Sequence, residues 1–502
     1  MPTKSELLDY EPVTPSPRAG RAQLVEATND SSRIRPLGRP TLNAISQKPP
    51  MPLPIAARDD SSQEAQPSAT SASLLRRGHT LSYAGIFTFT FLVYFRPYEL
   101  FPSLAWLSRS ALVVAVLTLA FFIPTQLGLE NRITARLLEV KIALALLFTA
   151  LLSVPFALEP TTAFQTVVEF FKVIAIFIVT LNVVRTEKRL RRLLQLVLLS
   201  GCVLSFAAFS DYAQGNLALQ GRRIAGLIGG LFSNPNDLAL HLVTMIPISL
   251  ALGFGSRRQL KKAFYLICSF LLMLGLLATF SRGGFIGFSF MIAFLAGKMA
   301  RRHRLIFGGL ALTLVLAVVA LAPASYRSRL ATTSDDSAVA RTDELKRSVL
   351  VAARHPLFGV GMGNYILYSN SNKATHNAFT QVAAELGLTA FFIYLWFLIS
   401  PFKRLRRLEQ ATGKDKQKPP VYYLALGLQA SLIGYAVASF FASVAFLWYA
   451  YYLAAFSVCL SRIYSSLDDR NLPLNSKPRF RVQVKHNATA IRSSERVATA
   501  GN

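Results

Sequence analysis

Apolar stretches of roughly 18 to 22 residues recur through the middle of this chain, separated by short runs of charge. A helix of that length crosses the hydrocarbon core of a bilayer, where only helices and closed barrels satisfy every backbone polar group. Of the 502 residues 16% are charged, against about 25% in a soluble domain. An ordinary soluble fold and a disordered chain are both excluded. The predicted class is all-α, a polytopic transmembrane helical bundle.

From Leu81 onward twelve hydrophobic spans are marked, centred near residues 89, 115, 148, 173, 202, 246, 271, 291, 313, 389, 431 and 451. Residues 1–80 are rich in Pro, Ser, Thr and Ala and lack apolar periodicity, with Pro12, Pro15, Pro17, Pro49 and Pro50 set against any helix. They read as a disordered tail, and residues 462–502 as a second, basic one. The first thirty residues hold no apolar core of signal-peptide length, so targeting is expected from the first membrane helix.

The formal net charge is +28, which alone would suggest nucleic acid as a partner. Its placement argues otherwise: the two tails carry +2 and +5, and the segment between them holds the rest. No helix-turn-helix or aromatic-strand pattern accompanies the basic runs, so no nucleic-acid role is expected. Cytoplasmic loops of membrane proteins carry the Lys/Arg excess. Four runs orient this chain. Arg185, Lys188, Arg189, Arg191 and Arg192 follow the fourth span; Arg257, Arg258, Lys261 and Lys262 follow the sixth. Lys298, Arg301, Arg302 and Arg304 follow the eighth, and Lys403, Arg404, Arg406, Arg407, Lys414, Lys416 and Lys418 follow the tenth. All four fall after even-numbered spans, so one side is basic and both termini are expected to be cytoplasmic.

The opposite side carries the unusual connections: residues 211–236, the tight turn Ser281-Arg282-Gly283-Gly284, and a long outer loop over residues 323–375. A loop of that length is too long for a simple connector and reads as functional. Arg222 and Arg223 sit on this outer side against the orientation bias, just before Asn234-Pro235-Asn236-Asp237. Two readings fit them: snorkelling to lipid headgroups, or a phosphate site in which guanidinium forks join Asn234 and Asn236 at a helix N-terminus. Arg282 is a third outward arginine, flanked by glycines expected to turn the backbone tightly and leave room for a ligand. His376-Asn377 opens the tenth span directly after the long loop, and histidine accepts protons near neutral pH. Gln381 and Glu385, four apart, share a helix face, whereas Glu385 lies about half a turn around from His376 and reads as a supporting residue.

Other polar residues point elsewhere. Glu169 and Lys172 are expected to form a buried pair within the fourth span, and His241 to hydrogen-bond within the bundle. Cys202, Cys268 and Cys459 lie inside apolar runs and read as small hydrophobes. No metal-ligand spacing, P-loop, Ser-His-Asp set or HExxH is present, so neither a metal nor a cofactor is expected. No internal repeat supports an inverted-repeat transporter.

Four motifs in order carry a resemblance: Arg223-x-x-Gly226 leading to Asn234-Pro235-Asn236-x-Leu238-Ala239; Ser281-Arg282-Gly283-Gly284; His355-Pro356-Leu357-Phe358-Gly359-Val360-Gly361-Met362-Gly363-Asn364; and His376-Asn377-x-x-x-Gln381-x-x-x-Glu385-x-Gly387-Leu388. Together they resemble the O-antigen ligase and O-antigen polymerase superfamily of bacterial envelope glycosyltransferases, over roughly residues 81–461 and most strongly between about 220 and 400. The resemblance implies a GT-C-like, metal-independent, inverting transferase of the bacterial inner membrane. Its donor would be an undecaprenyl-diphosphate-linked glycan and its acceptor a lipid or glycan hydroxyl on the outer face. Arg223 and Arg282 would bind the diphosphate, with Arg222 competing for the role of Arg223, and His376 would activate the acceptor. Asn234, Asn236, Asn377, Gln381 and Glu385 would support them. This agrees with the chemistry: a departing diphosphate needs its growing charge neutralised, and arginines supply that. Ligase and polymerase stay open as alternatives, and a flippase for lipid-linked sugars is the rival from another class.

Overall fold

All regular structure among the described residues is helical. The computed structural model describes residues 69–215, 232, 234–321, 336–369, 372–413 and 419–471. Most of both predicted tails, Arg222 and Arg223 lie outside them. The long helices are α1 (Ala69–Phe95), α2 (Ser110–Glu130), α3 (Leu138–Ser153), α4 (Pro160–Val183), α5 (Glu187–Ala213), α6 (Pro235–Phe254), α7 (Gln259–Ala278), α8 (Arg282–Leu321), α9 (Asp336–Arg354), α10 (Ala378–Thr412), α11 (Pro419–Ala438) and α12 (Trp448–Asn471). Eight described helices, α2 to α7 with α10 and α11, are long and apolar enough to cross a membrane.

Helix α6 is the axis of the bundle. Its residues are apolar on all sides, and 89% of its apolar window is buried against α5, α7, α8 and α11. A helix hydrophobic all round belongs in such a position. Small residues on α11 let the two backbones close. A side chain built on Gly427 would meet the Ala251 Cβ at 2.5 Å, and one on Gly434 the Val243 Cγ1 at 2.8 Å. Between them Ser431 donates to the Thr244 carbonyl at 2.7 Å. This is the small-residue packing that membrane helices use where lipid offers no hydrophobic drive to associate. At the periphery α2 packs mainly on α1, where Gly78 and Gly85 face Thr125 and Thr118. Only 22% of its apolar window is buried.

Ion pairs gather the helix ends into two sets. At one end Arg185 meets Glu130 at 2.5 Å, Arg404 grips Glu139 at 2.6 and 3.1 Å, and Lys298 meets Glu409 at 2.8 Å. Gly255, closing α6, abuts Pro420 at the start of α11. All four predicted basic runs are thus represented or adjoined at that end. The other end holds the contacts of Asn236 with Ser281, Glu159 with Asn364, and His376 with Ser443.

Three expectations are corrected. The spans centred near 291 and 313 fall in one helical stretch, α8, so Lys298, Arg301, Arg302 and Arg304 lie within helix and not in a connector. Residues 298–307 contain neither Gly nor Pro, and Lys and Arg are good helix formers, so nothing local breaks the helix there. Glu169 and Lys172 do pair, at 2.5 Å, but on the outside of α4, with side chains 71% and 38% exposed. The spacing specified the pairing, whereas the face was set by Phe170 and Val173, which turn inward. A charged group at mid-span costs about 3 kcal/mol. His241 is wholly buried, and among the described residues neither ring nitrogen has a hydrogen-bond partner; the rings of Tyr94, Phe232 and Tyr449 surround it instead.

Candidate functional site

Helix α10 begins, at the end of the bundle opposite the basic ion pairs, with Asn377 as its cap. The Asn377 side chain accepts from the N–H groups of Phe379 and Thr380 at 2.8 and 3.1 Å, satisfying two of the donors that a helix start leaves open. Asn377 is therefore a structural support. The residue before it, His376, has φ of 52°. The left-handed region is uncommon for a side-chain-bearing residue and is held only where the surroundings impose it. Here the His376 N–H donates to Ser443 Oγ at 2.8 Å, and the Thr375 hydroxyl, 3.1 Å from the same Oγ, donates to the Asn377 carbonyl. Ser443 lies in the turn between α11 and α12. One helical turn further along α10, Gln381 accepts from the Ala445 N–H of that α11–α12 turn.

The His376 side chain opens onto a cavity of about 350 Å³. Arg282 and Ile286 from the start of α8 line one wall, Arg341, Thr342 and Leu345 from α9 another, and Phe440 and Phe441 close it beside Thr375, His376 and Asn377. Two guanidinium groups and one imidazole thus share a partly apolar chamber. Burial pushes the His376 pKa below the ordinary histidine value, Arg341 and Lys373 push it further down, and Glu344 opposes them. The imidazole is accordingly neutral at neutral pH, with a lone pair able to accept a proton.

Arg282 is aimed by a polar corner. Asn234 caps α6, accepting from the Asn236 N–H at 3.0 Å; the Ser281 hydroxyl donates to Asn236 Oδ1 at 2.8 Å and accepts from the Gly284 N–H at 3.2 Å. The Asn-Pro-Asn and Ser-Arg-Gly-Gly motifs are therefore one joint between α6 and α8. The expected role of the glycines is corrected. A side chain on Gly283 would meet the Phe441 Cβ at 2.6 Å, and one on Gly284 the Ala239 Cβ at 2.7 Å. Neighbouring side chains fill the space at both glycines, which serve close packing, and the cavity opens beside Arg282 instead.

The two remaining motifs are also one structure. α10 is broken at Gly387, whose φ is 88°, and a side chain there would lie 2.5 Å from the Leu357 carbonyl oxygen. The break frees carbonyls of Ala384 and Glu385, and the Gly-rich loop supplies donors: Val360 N–H to Ala384 O and Gly361 N–H to Glu385 O, each at 3.0 Å. The Gly363 N–H donates to the Glu385 carboxylate at 2.9 Å, and the Leu388 N–H to the Pro356 carbonyl at 2.7 Å. Glu385 is buried in this contact and does not line the cavity. Asn364 extends the clamp, accepting from the Glu159 N–H at 2.8 Å, and Phe358 stacks on Phe156 with centroids 4.5 Å apart.

The cavity thus joins His376 and Arg282, while Asn234, Asn236, Asn377, Gln381 and Glu385 hold the elements that frame it. Arg222 and Arg223 lie outside the described residues. The sequence reading missed Arg341. Its helix is tethered by buried Glu344, which accepts from Tyr365 Oη at 2.8 Å and Ser369 Oγ at 2.7 Å. A helical period in the outer loop puts Arg341 and Leu345 on one face, but nothing local says which face meets the site.

Residues 267–395 match the family described as O-Antigen ligase. The matched stretch runs from within α7 into α10 and contains Arg282, Arg341, the Gly-rich loop, His376 and the Gly387 break. It bears out the resemblance to the O-antigen ligase superfamily. No curated protein matches the chain.

Proposed function

From the family match across residues 267–395, we propose that this protein is a membrane glycosyltransferase that moves a glycan from an undecaprenyl-diphosphate-linked donor to an acceptor hydroxyl at the outer face of a bacterial inner membrane. The observation that carries this is the meeting of Arg282, Arg341 and His376 around one cavity, from three segments distant in sequence. Displacement at an anomeric carbon places negative charge on the departing diphosphate, and fixed guanidinium groups in a partly water-excluded chamber stabilise it without reorganising. Arg282 and Arg341 take that role, joined by Arg223 or its neighbour Arg222. His376 removes the acceptor proton as the hydroxyl attacks, giving inversion in a single displacement. With the leaving group's charge met by arginines, the reaction is proposed to be metal-independent.

A polytopic GT-C-like arrangement with both termini cytoplasmic belongs to the same proposal.

The test is transfer by purified, reconstituted protein given undecaprenyl-diphosphate glycan, with and without lipid A core as acceptor. A single acceptor-dependent product makes it a ligase, and a ladder from donor alone makes it a polymerase. Donor left intact with every acceptor, together with its movement across sealed vesicles, would replace the proposal with a flippase.

A further inference from the structure

The outward face of α4 carries Thr162, Gln165, Glu169 and Lys172 at spacings of three and four residues, so they form one stripe along the helix. Thr162, Gln165 and Glu169 are exposed, and the Glu169 and Lys172 side chains are 71% and 38% open. At 1.5 Å per residue, Glu169 and Lys172 lie about 14 and 18 Å below Pro160, near the middle of a hydrocarbon layer about 30 Å thick. Hydrocarbon offers such groups nothing. Their mutual contact at 2.5 Å cancels net charge but leaves most of the carboxylate and ammonium hydrogen-bonding capacity unused. Among the described residues no protein group bonds the Gln165 amide. Ionisable groups within membrane spans face protein or water, seldom lipid.

We propose that this stripe is the contact face for a second copy of the chain, related by a twofold axis along the bilayer normal. A twofold contact places the same patch against itself and therefore demands self-complementarity. The stripe has it. An acid and a base one turn apart let each copy's carboxylate reach the other's ammonium, turning two isolated pairs into one four-membered network. An amide at Gln165, both donor and acceptor, pairs with its own equivalent. Phe164 and Phe171, 54% and 53% exposed, flank the stripe and supply the apolar border. The site stays accessible in such a dimer, because α4 packs on α1, α3 and α12 while the cavity is walled by α8, α9, α10 and the end of α11.

The experiment uses the full chain, fluorescently tagged, in phosphatidylethanolamine/phosphatidylglycerol vesicles at low protein density, counted by single-molecule photobleaching. Two-step bleaching is expected, together with an oxidant-dependent dimer band for Gln165→Cys. The pair Glu169→Leu with Lys172→Leu is expected to bleach mostly in one step, its dimer at least tenfold weaker, while eluting from detergent as a single sharp species. That elution separates lost pairing from lost folding, since leucine suits the lipid that a monomer would meet. Three outcomes overturn the proposal: single-step bleaching of the native chain at all densities, labelling of Gln165→Cys by a membrane-impermeant maleimide through a water-filled groove, or undiminished dimer in the double-leucine chain.

Discussion

Gly363 donates its backbone N–H to the buried carboxylate of Glu385 at 2.9 Å. The Gly-rich loop is thereby fastened to the interior of a membrane helix. Glu385→Ala leaves that N–H without its acceptor and is expected to cost about 1–3 kcal/mol. Thermal unfolding in detergent should show a lowered midpoint, with Glu385→Gln falling between it and the native chain because the amide oxygen still accepts.

Gly387→Ala tests the break itself. The added carbon would be held at φ 88° and 2.5 Å from the Leu357 carbonyl oxygen. A left-handed strain and a backbone clash together cost roughly 2–4 kcal/mol. Limited proteolysis is expected to cut the displaced loop near Leu357 several-fold faster than in the native protein, and equal cleavage rates would show that the loop tolerates the change.

His376→Ala is expected to abolish transfer while leaving donor binding within a few-fold of native. In the native chain the base is the neutral imidazole, and its pKa is depressed, so activity persists below pH 6.5 and fails only in more acid solution. Lys373→Gln removes a cation that favours the neutral form. The acid limb of the kcat/KM profile should then move to higher pH, and a shift toward lower pH would contradict the electrostatic assignment.

Ser443→Ala deletes the acceptor of the His376 N–H. The left-handed backbone at His376 then loses one of its restraints, and kcat is expected to fall about tenfold, the equivalent of about 1.4 kcal/mol in the barrier. Donor affinity should hardly change, because Ser443 does not line the cavity. Steady-state kinetics with donor and acceptor varied separately distinguish the two.

What the sequence exposes depends on whether the signal is local. Hydropathy and the basic runs at Arg185, Lys298 and Arg404 are read over a few residues, and the structure gathers those runs at one end of the bundle. Arg282 and His376 stand out for the same reason, as polar groups at the mouths of apolar spans. The union of Gly363 with Glu385 could not be read, since the two belong to motifs whose approach depends on the Gly387 break. Arg341 stayed hidden in an outer loop with several equally plausible cations. For Glu169 and Lys172 the spacing three apart specified a pair but left its orientation to the packing of Phe170 and Val173.

The interruption at Gly387 makes α10 two rods on a joint. The short rod that begins after Asn377 carries Gln381, and the long rod runs on from Leu388 to Thr412. The Gly-rich loop bonds both, through Ala384 and Glu385 on the first and Leu388 on the second, so the interruption is a clasped joint at which the backbone ladder of α10 is handed to another segment of the chain.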